Sequence, residues 1–441
     1  MGGSTKERGR SERRRASPDM HLNLNVRGMT RSATVAINER SAVLRAQGRQ
    51  IYRLGLGQSP FPVPEQVVEA LRRHAHEKDY LPVEGLPALR EAIADYTRRT
   101  VSIDRDGADV LVGPGSKELL FLLQLVYYGD LVVPTPAWVS YVPQARMLGR
   151  SVQLIPTERR LGWRMEPEEL ERVCREDTGR PRILILNYPS NPTGSSYTTD
   201  ELRQLATVAR QNRVVLLSDE IYGQTHHRGQ HVSIARFYPE GTIISSGLSK
   251  WCGAGGWRLG YFIFPPELRW LLSAMAVAAS ETYTSTSAPI QHAAVTAFRG
   301  SAELTDYLHR SRRILGALGR WSQKRLQTAG LDCLRPVGAF YLFPGFEALR
   351  GALAARGIHD SPQLSERFLD DTGVAILPGS VFGRSPDELT ARLAYVDFDG
   401  AAALEAARHA PSDAPIDDAF LRQHCSRVLE AMDRLCAWVA G

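Results

Sequence analysis

A chain of 441 residues, 43% apolar and 23% charged, carries enough hydrophobic material for one large core and one smaller one. Its longest apolar runs, Leu119 to Tyr128 and Leu271 to Ala279, stop well short of the roughly 20 residues that a membrane-spanning helix needs. Much of the formal net charge of +6 sits in the first twenty residues, and no aromatic-interleaved basic patch follows them, so neither a membrane nor a nucleic acid is expected as a partner.

In chain order, "KERGRSERRR" is polar and free of aromatics and cannot offset its own ordering entropy, so residues 1–28 are expected to form a disordered basic tail. The same stretch contains acidic residues and lacks an apolar segment, which disfavours a targeting peptide. Cys174, Cys252, Cys333, Cys425 and Cys436 are odd in number, scattered, and form no CxxC pair. They point to no disulfide framework and no metal site, and to a reducing, cytoplasmic setting.

Seven short aliphatic runs then alternate with stretches of helical period: "DVLVG" (109–113), "DLVVPTP" (130–136), "SVQLIPT" (151–157), "RILILNYP" (182–189), "RVVLLSDEIY" (213–222), "GTIISSG" (241–247) and "LGYFIFP" (259–265). Strands so uniformly apolar are covered on both faces, which predicts an α/β domain built on a doubly wound, mostly parallel seven-stranded sheet. From about residue 304 a long amphipathic helix runs to a glycine stop. After it, "GAFYLFP", "GVAILPG" and "ARLAYVDF" read as strands, and "DDAFLRQHCSRVLEAMDRLCAWVAG" as a closing helix, the pattern of a smaller α+β domain. The expected layout is an N-terminal arm and small-domain segment over 29–62, a large domain over 63–303 and a small C-terminal domain over 304–441.

Ligands of open α/β sheets sit outside the carboxyl ends of the strands, so the residues just after each run carry the functional reading. After the first, "PGSKELL" sets Ser116 and Lys117 at the start of a helix whose free N–H groups suit a phosphate, although the same text is an ordinary turn and cap. Trp138, after the second, suits stacking on a flat ring and equally a core position. "YPSNPTG" holds Asn191 between two prolines. Asp219 follows a buried run, where a carboxylate needs a cationic partner or a capping role, and Tyr222 comes three residues later. "SSGLSKWCGAGGWRLGY" sets Ser249 and Lys250 among small residues, with Arg258 eight positions on. A lysine held there beside other cations is pushed toward its neutral, nucleophilic form, which is what an aldehyde-bearing cofactor requires. Arg258 would neutralise a phosphate, and Asp219 would pair with a protonated pyridine nitrogen.

With "LGLGQSPFPVP", "YLPVEGLPALREAIADY", "PAWVSY", "SDEIY", "GAFYLF", "PGSVFG" and "RLAYVDF" in the same order, the chain resembles the fold type I pyridoxal-phosphate enzymes of the class I/II aminotransferase family, near the bacterial aspartate/prephenate branch. The likeness covers roughly residues 50 to 400. It implies that Lys250 carries the cofactor as a Schiff base and moves the substrate proton, that Asp219 holds the ring nitrogen, and that Asn191 and Tyr222 bond the ring oxygen. Trp138 would stack on the ring. Ser116, the Lys117 backbone, Ser249 and Arg258 would bind the phosphate, joined by Tyr80 from a second subunit. Arg392 would clamp the substrate α-carboxylate, with Gly57 and Asn191 beside it. The resemblance further implies a homodimer with shared active sites, and an amino acid and a 2-oxo acid as substrates. Lys117 would meet the distal carboxylate of an acidic substrate, unless it is only a solvated first-turn residue.

The chain also departs from the family pattern. Gly247 stands where many relatives carry a hydroxyl three residues before the lysine, with Ser246 as the candidate replacement. Asp397 and Asp399 read as turn and cap residues, or else as sensors of a cationic substrate tail. Other chemistries share this fold and stand as alternatives: β- or γ-elimination, C–C bond formation on an S-adenosylmethionine- or arginine-derived substrate, and oxidative deamination.

Overall fold

The computed structural model of the chain describes residues 21–29, 31–409, 411 and 414–441. Of the expected basic tail, residues 1–20 lie outside the described residues, and residues 23–29 form a hydrogen-bonded turn. Seven strands, β1 (Val110–Gly113), β2 (Asp130–Thr135), β3 (Val152–Pro156), β4 (Arg182–Asn187), β5 (Val215–Asp219), β6 (Thr242–Gly247) and β7 (Gly260–Ile263), form one sheet. Their order is β1-β7-β6-β5-β4-β2-β3, parallel throughout except that β7 runs against both neighbours.

The side chains explain the uniform apolarity of these runs. Successive residues of a strand point to opposite faces. Ile183, Ile185, Val215 and Leu217 enter one apolar cluster with Leu119 and Leu123, while Leu184, Leu186 and Leu216 enter another with Leu202 and Leu205. Helix α1 (Ala33–Ala46) precedes the sheet in the chain, α2 (Ser116–Val126) carries Leu119 and Leu123, α3 (Thr199–Gln211) carries Leu202 and Leu205, and α4 (Ala302–Thr328) comes after the last strand of the sheet. Burying each such side chain contributes about 1.5–3 kcal/mol, so a polar residue on either face is costly.

This topology also decides where chemistry can sit. The parallel strands all end on one edge of the sheet, and antiparallel β7 begins there, with Gly260 in register with both Gly113 and Gly247. Residues following β1, β2, β4, β5 and β6, and residues preceding β7, therefore converge.

Beyond α4, β8 (Tyr341–Leu342), β9 (Leu377–Pro378) and β10 (Ala391–Ala394) form an antiparallel sheet in the order β9-β10-β8. Ile314, Leu315 and Leu318 of α4 share an apolar cluster with Tyr341, Leu342 and Leu393 of that sheet. The expected closing helix is two, Asp418–His424 and Ser426–Ala440. The backbone leaves the α region at Cys425 (φ −125°), and the break lets Leu421 on one side and Val428 on the other both reach the core.

Asp397 and Asp399 separate in role. Asp399 accepts the Ala401 and Ala402 N–H groups at 3.0 Å, as a helix cap does. Asp397 is buried and accepts the Arg53 N–H at 3.0 Å and the Arg427 guanidinium at 2.9 Å, tying the N-terminal strand residues Tyr52–Arg53 to the last helix. Burial pushes its carboxyl up, but the Arg53 N–H and the Arg427 charge outweigh this and hold it below the usual carboxylate range. A depressed pKa contributes stability that is present above the unfolded-state value and is lost as pH falls through the folded one. Asp397→Asn is expected to cost about 2 kcal/mol at neutral pH. The check is the urea midpoint, and the difference from the parent should shrink toward acid pH.

Candidate active site

A cavity of about 610 Å³ opens at the convergent edge of the large sheet. Of the residues singled out in the sequence, Gly57, Ser116, Lys117, Trp138 and Asn191 line it, as do Asp219, Tyr222, Ser249, Lys250, Arg258 and Arg392. Tyr80 does not; its side chain is 87% exposed.

Each side chain arrives for a local reason. Lys250 lies in the turn after β6 and donates from Nζ to the Gly57 carbonyl at 2.8 Å. That approach needs a glycine, because a Cβ at position 57 would stand 2.0 Å from the Tyr341 hydroxyl. Burial, then Arg392 and Arg258, pull the lysine down to about 8, with Asp219 opposing. Lys250 thus offers a substantial neutral fraction near neutral pH.

Asp219 ends β5 and is buried; burial pushes its carboxyl up to about 6, while the Tyr141 hydroxyl, 2.5 Å from Oδ2, and the Ile221 N–H hold it down. A positively charged ligand atom facing this carboxylate would offset the same desolvation. Asn187, at the end of β4, donates from its amide to the Asp219 carbonyl at 2.9 Å and accepts the Asn191 N–H at 2.8 Å, which fixes the following turn. Tyr222 pairs with Tyr341 at 2.7 Å between hydroxyls, and burial keeps it a neutral phenol.

One end of the cavity is cationic. Arg258 precedes β7 in the left-handed region (φ 57°) and donates to the Gly255 carbonyl at 2.9 Å. A Cβ at Gly115 would fall 2.2 Å from its Nη2, so only glycine leaves this guanidinium in place beside the N-terminus of α2. Lys117, in the first turn of α2, sits 5.3 Å over the Trp138 ring, its pKa lowered by burial and by Arg258. The α2 N–H groups, Ser249 and these cations suit a phosphate.

Arg392, on β10, provides a second cationic point. It is only 2% exposed, gives Nη1 to Asn191 Oδ1 at 3.0 Å and Nη2 to the Gly55 carbonyl at 2.5 Å, and its buried Nε has no partner among the described residues. A buried guanidinium without a counter-charge is expensive, and a ligand carboxylate would compensate it.

Sequence reasoning missed Tyr141, Asn187 and Tyr341, and also Ser32 and Thr34 at the start of α1, which line the cavity. Tyr141 stands three residues beyond Trp138 and Tyr341 lies inside "GAFYLF", so both belong to motifs that carry the family resemblance. Ser246 does not line the cavity; its hydroxyl meets Tyr261. Gly247 has no room for a side chain, since a Cβ there would lie 2.7 Å from the Leu259 carbonyl. Away from this cavity, His74, Glu77 and His292 approach one another among the described residues. The two imidazoles stack 4.8 Å apart and 20° from parallel, so their in-plane lone pairs do not converge on one ion.

Residues 49–397 match the family described as aminotransferase class I and II. The chain is 35% identical over 385 residues to an aspartate aminotransferase of Geobacillus stearothermophilus, covering 85% of this chain and 94% of that protein. It is 35% identical over 372 residues to an aspartate/prephenate aminotransferase of Thermus thermophilus, covering 82% and 91%. The solved structure of the Thermus thermophilus aspartate aminotransferase with maleate superposes with a TM-score of 0.80 at 29% identity, covering 95% of this chain and 99% of that one.

Proposed function

We propose a mode of action from a plain premise: the chain belongs to the aminotransferase class I and II family and is an aminotransferase. Our reading is that it binds pyridoxal 5'-phosphate and exchanges an amino group between an amino acid and a 2-oxo acid. The observation that carries it is the meeting in one cavity of a nucleophilic lysine, a carboxylate and two separated cationic points, Arg258 and Arg392.

These residues fit the cofactor. Arg258, Ser116, Ser249 and the Lys117 backbone would hold its phosphate where Gly115 leaves space. Asp219 would face its ring nitrogen, Asn191 and Tyr222 its ring oxygen, and Trp138 its face. When bound, the cofactor supplies an electron sink for negative charge at the substrate Cα. The chain's own groups do the rest. Arg392 holds the α-carboxylate through a two-point fork. Lys250 Nζ, once free, takes the Cα proton and returns it on the way to product. Tyr141 and Asn187 keep the Asp219 carboxylate and the Asn191 turn in place.

Borohydride reduction of the loaded protein, followed by peptide mass analysis, tests the attachment point. Fixed cofactor on the Lys250 peptide is expected, and a different peptide would refute the assignment. The pKa of about 8 adds a pH dependence. Only the unprotonated amine attacks an aldehyde, so the rate at which cofactor-free protein captures pyridoxal phosphate should rise with pH and level off above about 8. A lysine near its ordinary value would leave the rate still climbing at about pH 10.

We further propose acidic substrates. Lys117 lies on the cavity wall, and relatives are named for aspartate and for aspartate/prephenate. Lys117→Ala is expected to lower kcat/KM for aspartate or glutamate about 10-fold, the value of one charge-assisted contact, and to leave alanine nearly unchanged. Equal losses for both classes would remove Lys117 from substrate selection.

A homodimer completes this picture. Tyr80 is 87% exposed and has no place in its own cavity, as expected of a side chain that serves a second subunit's phosphate site. No helix among the described residues is long and apolar enough to cross a membrane. All five cysteines are buried and unpaired, which supports a reducing, cytoplasmic setting.

A further inference from the structure

A second cavity, of about 670 Å³, uses the continuations of the loops that build the first. The turn carrying Asn191 runs on to Ser196 and Thr198, the segment carrying Tyr222 runs on to His226 and Arg228, and the approach to Tyr341 contributes Arg335 and Val337. Helix α4 closes the other wall.

Its lining is one-sided in charge. Arg164, Arg228, Arg312, Arg313, Arg320 and Arg335 all face it, with three histidines, and among the described residues no aspartate or glutamate does. Arg164 is paired with Glu201 at 3.1 Å. Arg312 and Arg313 are steadied by neutral groups, the first by Gln224 and the second by the Pro411 and Ala414 carbonyls. Arg228, Arg320 and Arg335 have no carboxylate partner among the described residues, and burial followed by the Arg335 charge pulls the Arg320 pKa down. His226 accepts the Arg228 and Gln230 N–H groups on Nδ1, which leaves Nε2–H as a neutral donor. A concave wall that gathers this much positive charge focuses the field, and the mutual repulsion is relieved only by an anion.

We propose that this cleft binds a small anion carrying two or more phosphoryl groups. Guanidinium forks match phosphoryl oxygens in pairs, and each phosphoryl group brings up to two negative charges into little volume, which carboxylates do not. A nucleic acid would want open aromatic faces for stacking. Among the described residues of the lining no Phe or Trp appears, and the one phenol ring, Tyr197, is already packed edge-on against Tyr188, with ring centroids 5.4 Å apart.

The test is calorimetric titration of the cofactor-loaded protein, so that the phosphate site of the active centre is filled, with inorganic triphosphate at fixed ionic strength. Orthophosphate, citrate and a single-stranded thymidine oligonucleotide serve as comparators. Saturable binding of one triphosphate per chain is expected, at least about 10-fold tighter than orthophosphate or citrate. The double variant R320E/R335E should weaken it by about 10-fold or more while leaving turnover without triphosphate unchanged. Arg335→Gln, at an exposed position, should weaken it about 3-fold even if the double variant folds poorly. Absence of saturable binding, equal affinity for citrate, or unchanged affinity in these variants would overturn the proposal. Tighter binding of the oligonucleotide than of triphosphate would overturn it too, in favour of a nucleic-acid surface.

Discussion

Lys250→Ala is expected to lower kcat by about four orders of magnitude or more, because in the proposed reaction one side chain would supply both the nucleophile and the proton carrier. The loss should be chemical rather than structural. Lys250 makes its hydrogen bond to the Gly57 carbonyl from a half-buried position, and its pKa near 8 shows that the fold disfavours its charged form. Thermal stability should therefore stay within about 1 kcal/mol of the parent. Lys250→Arg separates charge from chemistry. It restores a cation but offers no neutral amine at any working pH, so it should be as inactive as the alanine variant. Activity retained by either would remove Lys250 from the reaction.

Arg392→Lys is expected to lower kcat/KM by about 100-fold for amino acids and 2-oxo acids alike, mainly through KM. A lysine keeps the charge and loses the planar fork. Two hydrogen bonds to a charged group at about 1.5 kcal/mol each give about 3 kcal/mol, or roughly two powers of ten. Lysine is the better variant than alanine here. Arg392 is only 2% exposed and holds Asn191 and Gly55, so alanine would strand both acceptors and confuse binding with folding. A uniform effect on substrates with and without a second carboxylate is part of the expectation, since Arg392 should read the α-carboxylate that all of them share. Unchanged kinetics would contradict its role.

The legibility of each residue in the sequence depends on where it lies in the fold. Asp219 ends a strand, Asn191, Trp138 and Lys250 come after one, and each strand contains a short aliphatic run that local text reveals. Arg258 is legible as the cation eight residues after Lys250, and the structure brings it to the same edge because it precedes β7, which runs antiparallel in the large sheet and starts there. Arg392 sits inside β10, and its partners are 201 and 337 residues away, so only the family resemblance pointed to it. The same distance hid Tyr141, 78 residues from Asp219, and Tyr341, 119 residues from Tyr222. No periodicity encodes such contacts, because they come from how separately formed elements meet. Asp397 shows the limit from the other side. Its position shortly after Arg392 invited a substrate role, yet it faces Arg53 and Arg427 and serves as a tie between chain segments.

The most direct measurement of the central claim is a single half-reaction. The cofactor-loaded protein is mixed with aspartate in the absence of any 2-oxo acid, and the products are counted while the cofactor absorbance is followed. Amino-group transfer predicts one equivalent of oxaloacetate per active site, no free ammonia, and a shift of the cofactor absorbance from the visible to the near ultraviolet that 2-oxoglutarate reverses. Release of ammonia, or continuous turnover of amino acid without a 2-oxo acid, would contradict it.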